Sequence, residues 1–263
     1  MNIDLSGKTA FVSGSTKGIG RAIAAQLARQ GAAVMINGRT QASVDTAVNE
    51  LRDADENAEV FGVAADCSTA AGVEAVLKAA PEVDILVNNV GFFDPKPFFD
   101  LDDDDWTGAF DVNVMSGVRL SRAYALGMKE KGWGRIVFIS SESALNIPTE
   151  MVQYGMTKTA QLAVARGLAQ TLRGTGVTVN SVLPGPTKSE GVMAMMDGQI
   201  QDGESVDDAG VRFVRENRPT SIIDRMAEVQ EVANMVGYVC SPAASATTGA
   251  GLRVDGGVVG YPV

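Results

Sequence analysis

Lys8-Thr9-Ala10-Phe11-Val12-Ser13-Gly14-Ser15-Thr16-Lys17-Gly18-Ile19-Gly20 is the stretch on which the reading of this chain turns. Its first half, Lys8 to Ser13, has the apolar pattern of a short buried strand. Its second half is a turn built on Gly14, Gly18 and Gly20, after which Ile23 and Leu27, separated by small alanines, mark one face of a helix ending near Gly31. Strand, glycine turn and helix in succession present unpaired N–H groups and the positive end of a helix dipole where a ligand can approach the backbone closely. A pyrophosphate suits such a turn, so a dinucleotide is the expected ligand. The spacing is GxxxGxG rather than the commoner GxGxxG, and an ordinary βα turn of glycines would read the same in isolation.

Further along, strand patterns recur at Ala33–Asn37, Ala58–Ala64, Ile85–Asn88, Arg135–Ser140, Val177–Leu183 and Gly251–Val254, with helical segments between most of them. This alternation predicts an α/β fold of the Rossmann type, a doubly wound parallel sheet of about seven strands with helices on both faces. Ligands of such sheets bind outside the carboxyl ends of the strands. With 263 residues and no Pro/Ser-rich or low-complexity divider, the expectation is one domain over 1–263. No apolar run has the length of a membrane span and the first residues lack a signal-peptide pattern, so a cytoplasmic protein without a membrane partner is expected. A formal net charge of −10 argues against a nucleic-acid surface. Cys67 and Cys240 stand far apart in a chain without histidine, which points to neither a disulfide nor a metal site. The acidic run Asp102-Asp103-Asp104-Asp105 before Trp106 reads as a helix N-cap with dipole-favourable charge rather than as a metal site.

Proton chemistry is suggested by Tyr154-Gly155-Met156-Thr157-Lys158. On a helix, positions i and i+4 share a face, so phenol and ammonium reach the same small volume, where a nearby cation stabilises the phenolate. Alone, such a pair is a common helix-surface pattern.

Gly14-xxx-Gly18-Ile19-Gly20, Asn88-Asn89-Val90-Gly91, Asn113, Ser141 and Tyr154-xxx-Lys158 together resemble the short-chain dehydrogenase/reductase family, its 3-oxoacyl-[acyl-carrier-protein] reductase-like members in particular. Pro184-Gly185 and Asp255-Gly256-Gly257 fit the same pattern, and the resemblance covers essentially the whole chain. Ser13 stands where the family usually has Thr, and Val90 where it usually has Ala.

The resemblance implies NADP(H) as cofactor, with Gly14, Ser15, Thr16, Lys17, Gly18, Ile19 and Gly20 forming its turn. It aligns Gly38 with the position where NAD users carry a ribose-binding acid; that acid is missing, Arg39 follows directly, and Lys17 lies where bases often meet a 2′-phosphate. Asp66 and Cys67 fall near the adenine, Asn89, Val90 and Gly91 beside the adenosine ribose, and Pro184, Gly185 and Thr187 at the nicotinamide. Tyr154 is implied as the general acid or base, with Lys158 holding both Tyr154 and the nicotinamide ribose. Ser141 would donate to the substrate oxygen, with Ser140 as its rival, and Asn113 would hold a water linking Lys158 to solvent.

The substrate implied is a small molecule, a 3-oxoacyl-type or other small ketone or the matching alcohol. A Met-rich segment at about 188–224, with Met193, Met195 and Met196, reads as a substrate lid or as packing against another subunit. Glu142 and Glu150 lie near the site, either solvated or meeting a polar or cationic substrate group. Apolar residues Val114, Val118 and Leu120 on one helix and Leu162, Val164 and Leu168 on another exceed what one sheet face needs, and the resemblance makes a homotetramer, or a homodimer, the expected assembly. The alternative function is a non-enzymatic cofactor-binding regulator or scaffold on the same fold.

Overall fold

The computed structural model describes residues 3–196, 198, 200 and 203–262. Its centre is a seven-stranded sheet in the order β3-β2-β1-β4-β5-β6-β7, every pairing parallel. The strands are β1 (Thr9–Val12), β2 (Ala33–Gly38), β3 (Val60–Ala64), β4 (Ile85–Asn88), β5 (Gly134–Ile139), β6 (Val177–Pro184) and β7 (Gly251–Val254). Those boundaries lie within two residues of the expected ones. Strands β4, β5 and β6 are buried along their whole length, because helices cover both faces of a parallel sheet and leave no solvent side.

Alternate residues of each strand feed two separate cores. Ala10, Val12, Val34 and Ile36 pack against α1 (Gly18–Arg29), α2 (Gln41–Ala54) and α9 (Val229–Val239). Phe11, Leu86, Ile136 and Phe138 point the other way, toward α3 (Ala70–Ala79), α5 (Ser116–Lys131) and α6 (Val152–Thr171). Leu27, fully buried on α1, fills the first core, and its truncation to Ala should cost about 2–5 kcal/mol.

Chain order reverses between β1 and β4, which opens a crevice at their carboxyl ends. The glycine turn lies on one side of it and Asn88-Asn89 on the other. Gly14 and Gly18 adopt φ of 60° and 59°, which a side chain would strain. A short helix, α4 (Asp103–Phe110), starts on a capping box formed by Asp102 and Asp105, as the acidic run suggested. It runs into a π-helical turn, Asp111–Met115, which seats Asn113 fully buried behind the crevice.

The segment expected as a lid carries α7 (Glu190–Met196) and α8 (Val206–Asn217), which share a small core of Met196, Ala209, Val214 and Met226. Positions 197, 199, 201 and 202 of that segment lie outside the described residues. One expectation about surfaces is corrected. Val114 and Leu120 are fully buried within the chain, Leu120 in the second core, so they add nothing to an outer apolar face; among the described residues Phe110 and Leu126 are exposed large apolar side chains of α4 and α5.

Candidate active site

A cavity of ≈ 210 Å³ opens at the carboxyl ends of β1, β4, β5 and β6. Ile19 and Asn89 line one end, Ser141, Tyr154 and Lys158 its middle, and Phe213 and Arg218 the other end. Helix α6 supplies Tyr154 and Lys158 on one face, as their spacing requires. Ser141 sits just beyond β5, where it caps a short 3₁₀ turn by accepting the Ser143 N–H at 3.1 Å. That acceptor role leaves the Ser141 proton to donate into the cavity. Ser140 is used differently: its Oγ donates to the Lys158 carbonyl oxygen at 2.9 Å and pins α6 to β5. The geometry therefore favours Ser141 over Ser140 as the hydroxyl beside Tyr154.

Burial pushes the Tyr154 phenol up to about 12, and the Ser141 hydroxyl, in hydrogen-bonding reach, pulls it down in part. The Lys158 ammonium is brought down to about 7 by burial. It donates to the Ile139 carbonyl at 2.9 Å and to Gln161 Oε1 at 3.4 Å, while standing 5.5 Å from the centre of the Tyr154 ring. Tyr154 and Lys158 thus share one helix face and one cavity. Lys158 is a buried, partly discharged amine with weak partners, and an anionic or polyhydroxylated group beside it would restore its charge.

Asn113 is tied in from several sides. Its side-chain amide is consumed by Phe92, accepting from the N–H at 2.7 Å and donating to the carbonyl at 2.9 Å, and by Thr157 Oγ1 at 2.9 Å. Its backbone carbonyl oxygen accepts from Gln161 Nε2, and Gln161 Oε1 accepts from Lys158, so Gln161 links Asn113 to Lys158. Gln161 was missed in the sequence, although it lies three residues after Lys158 and hence on the same helical face.

At the glycine turn two residues of the expected cofactor set, Ser15 and Cys67, are tied inside the fold. The N–H of Ser15 is tied to Asn37 O at 2.8 Å and its hydroxyl to Val12 O at 2.6 Å, so it serves the turn from inside. Cys67 is buried, with its thiol against Asn37 Oδ1 at 3.2 Å and pushed up to about 12 by burial. Asn37 holds these groups together. Asn89 braces the turn from β4 by donating to Gly14 O at 2.8 Å and Ser13 O at 3.1 Å. Close by, Val90 lies against Gly14, and Gly91 leaves room for Lys158: a Cβ there would stand 3.4 Å from Nζ. Asp66 is exposed, its carboxyl held low mainly by Ser68, which leaves it an acceptor at the crevice edge. At the far side Gly185 packs against Asp255, and the buried Thr187 donates to Gly185 O at 2.8 Å.

Lys17 and Arg39 are exposed at the mouth of the crevice, and neither forms a salt bridge with a described residue. No carboxylate occupies position 38, where a Cβ would fall 2.5 Å from Thr16 Cγ2. The crevice thus combines a glycine cradle and helix N-terminus with two exposed cations, Arg39 acting on Asp66 across it, and no carboxylate at position 38.

The two acids are not solvated as a pair. Glu142 is buried with Oε1 accepting from Arg218 Nε at 2.8 Å, while Glu150 lies 3.8 Å from Arg218 Nη1 at the rim. Burial pushes the Glu142 carboxyl up, and Arg218 opposes it. Since Arg218 itself supplies the cation, a cationic substrate group is not what these acids await.

A model of the family described as enoyl-(acyl carrier protein) reductase matches residues 14–259. The uncharacterised oxidoreductase YvaG of Bacillus subtilis is 49% identical over 261 residues, spanning 98% of both chains. Among solved structures, L-sorbose reductase from Gluconobacter frateurii, complexed with NADPH and L-sorbose, superposes with a TM-score of 0.92 at 28% identity and covers 100% of both chains. A 7α-hydroxysteroid dehydrogenase complexed with NADH and a 7-oxo bile acid does so with 0.85 at 30% identity, covering 97% and 96%. The chain belongs to the short-chain dehydrogenase/reductase family. It is an NAD(P)-dependent oxidoreductase acting between alcohols and ketones.

Proposed function

We propose that the chain is an NADP(H)-dependent reductase of small ketones, 3-oxoacyl compounds among them, which runs in reverse on secondary alcohols. The observation that carries this reading is one cavity in which Ser141, Tyr154 and Lys158 meet and which reaches Ile19 of the glycine turn, where Lys17 and Arg39 are exposed without a salt bridge among the described residues. The bound nicotinamide supplies the hydride. Tyr154 donates its phenolic proton to the carbonyl oxygen, and Ser141, its own acceptor site taken by Ser143, donates a second hydrogen bond to that oxygen. Lys158 would hold the ribose hydroxyls, whose oxygens favour its ammonium form, and would steady the phenolate. Gln161 and Asn113 fix Lys158 from behind. Thr187, Gly185 and Pro184 would hold the carboxamide, Ile19, Thr16 and Gly18 the phosphates, and Asp66, Val90 and Gly91 the adenosine.

Support for the phosphorylated cofactor comes from the NADPH complex of the sorbose reductase, whereas the hydroxysteroid dehydrogenase was captured with NADH. Arg39 and the empty acid position weigh toward the first. The reading includes assembly as a homotetramer and, with Cys67 and Cys240 both buried and unpaired, a reducing cytoplasmic setting. Among the described residues no helix is long and apolar enough to cross a membrane.

The deciding experiment follows oxidation of NADPH and NADH over a panel of ketones and 3-oxoacyl thioesters. Tyr154→Phe should lower turnover by ~10²–10⁴ while cofactor still binds. Tight cofactor binding with no turnover on any ketone would favour the non-enzymatic alternative.

A further inference from the structure

The ion pair of Glu142 and Arg218 lines the same cavity as Tyr154 and is only half used by the protein. Glu142 Oε1 accepts from Arg218 Nε at 2.8 Å and from Ser143 Oγ at 3.1 Å. Glu142 Oε2 is buried and has no hydrogen-bond partner. On the other side, Arg218 spends Nε on Glu142 and Nη1 on Asn217 O, and Nη2 donates to no described residue. A carboxylate oxygen kept from water without a donor is among the costlier features a fold can carry, and it is retained where something else supplies the donor.

The chemistry of that missing partner follows from the pair. Glu142 requires a donor, which a carboxylate or phosphate lacks, and its charge would repel either. Arg218 requires an acceptor, which an ammonium lacks, and its charge would repel that group. A hydroxyl answers both, because it carries one proton to give and two lone pairs to receive. The remaining wall is apolar, with Phe93, Met151, Val192, Met195 and Phe213 able to cover a short carbon skeleton. The pair joins β5 to the end of α8, so it also ties the substrate-covering segment to the catalytic strand.

Resting on the carbonyl-reductase reading above, we propose that Glu142 and Arg218 form a recognition site for a neutral hydroxyl group, so that the substrates are hydroxylated ketones and the corresponding diols. Glu142 Oε2 accepts the hydroxyl proton and Arg218 Nη2 donates to its oxygen. Selection is made against anionic and cationic ketones as well as against plain alkyl ones.

A matched series tests this: hydroxyacetone, butanone, pyruvate and aminoacetone share the acetyl group and differ in the group beside it. The same four groups placed one methylene further out complete the set. With NADPH, kcat/KM for a hydroxyl-bearing member should exceed that of its alkyl partner by about ten- to a hundredfold, the factor a charge-assisted hydrogen bond commands, and should exceed both charged partners. Glu142→Gln should bring the hydroxyl-to-alkyl ratio to within about threefold of unity. Because Glu142→Gln leaves Arg218 uncompensated, Glu142→Gln with Arg218→Gln is the second variant, and the ratio should collapse there too. Isothermal titration of the NADPH-saturated protein, where no turnover occurs, should find propanediol binding more tightly than butanol in the wild type alone. Equal use of hydroxyacetone and butanone and of the longer pair, a preference for a charged member, or an unchanged ratio in both variants would overturn the recognition site and leave the reductase reading standing. Absence of turnover on every member with either cofactor would overturn both.

Discussion

Replacing Gly38 with Asp is the direct way to ask why position 38 lacks the acid that would receive a ribose diol, and the structure predicts that the single replacement fails. Gly38 is not in the left-handed region, so its backbone would accept a side chain. The obstacle is steric: the new Cβ would stand 2.5 Å from Thr16 Cγ2 and 3.2 Å from both Ser43 Oγ and Val44 Cγ2. Val44 is fully buried in the first core, and the β-branched Thr16 is restricted about χ1, so three converging contacts leave no cheap escape. Overpacking of this kind costs about 1–3 kcal/mol, so Gly38→Asp should unfold earlier than wild type and gain no NADH affinity. Adding Thr16→Ala removes the closest contact. The double variant should recover most of the stability and bind NADH better than NADPH, because the carboxylate then accepts the ribose hydroxyls and repels the phosphate. Arg39→Ala alone should weaken NADPH by about ten- to a hundredfold, with little effect on NADH, since a charge-assisted contact is worth about 1.5–3 kcal/mol. Thermal unfolding of the ligand-free variants, with calorimetric titration of both cofactors, measures every term. A single Gly38→Asp variant as stable as wild type and already selective for NADH would refute the packing argument, and a wild type that binds both cofactors equally would refute the role of Arg39.

The lowered Lys158 makes the stability of the protein without cofactor depend on pH. Its folded-state value of about 7 lies below the free value of 10.5, so the folded chain binds fewer protons than the unfolded one between them. The penalty is therefore complete below about pH 7 and is relieved as pH rises toward 10.5, with a slope approaching ~1.4 kcal/mol per pH unit. Below the free tyrosine value of 10.0 the raised Tyr154 adds no opposing slope. Denaturant unfolding across this window should find stability rising in the wild type and a flatter profile in Lys158→Met; parallel profiles would rule the discharged amine out. For assembly, light scattering at micromolar concentration should return a tetramer, and Leu126→Glu, which places a charge on the most exposed apolar side chain of α5, should reduce the mass. A wild-type monomer would refute the tetramer.

What could be read from the sequence was local. The strand limits, the glycine turn, the Asp102–Asp105 cap and the shared face of Tyr154 and Lys158 each depend on residues within a turn or two of one another, so spacing alone conveys them. The misreadings have a common origin in groups whose partners come from elsewhere in the chain. Ser15 turns inward because β2 brings Asn37 beside it, and Leu120 is buried because the sheet meets the face that carries it. The link from Asn113 to Lys158 runs through Gln161, which no motif marks. Glu142 and Arg218 are the extreme case, separated by 76 residues. A lone acid beside a catalytic serine reads as solvated because solvation is the usual fate of a carboxylate, and only burial together with a specific cation reverses that expectation. Asn217-Arg218-Pro219 does mark the end of a helix, since proline cannot continue one, but the direction in which Arg218 leaves α8 is set by the carboxylate waiting at β5. The pair proposed to hold substrate is thus the least visible in sequence, while Tyr154 and Lys158, four residues apart on one helix face, are the most visible.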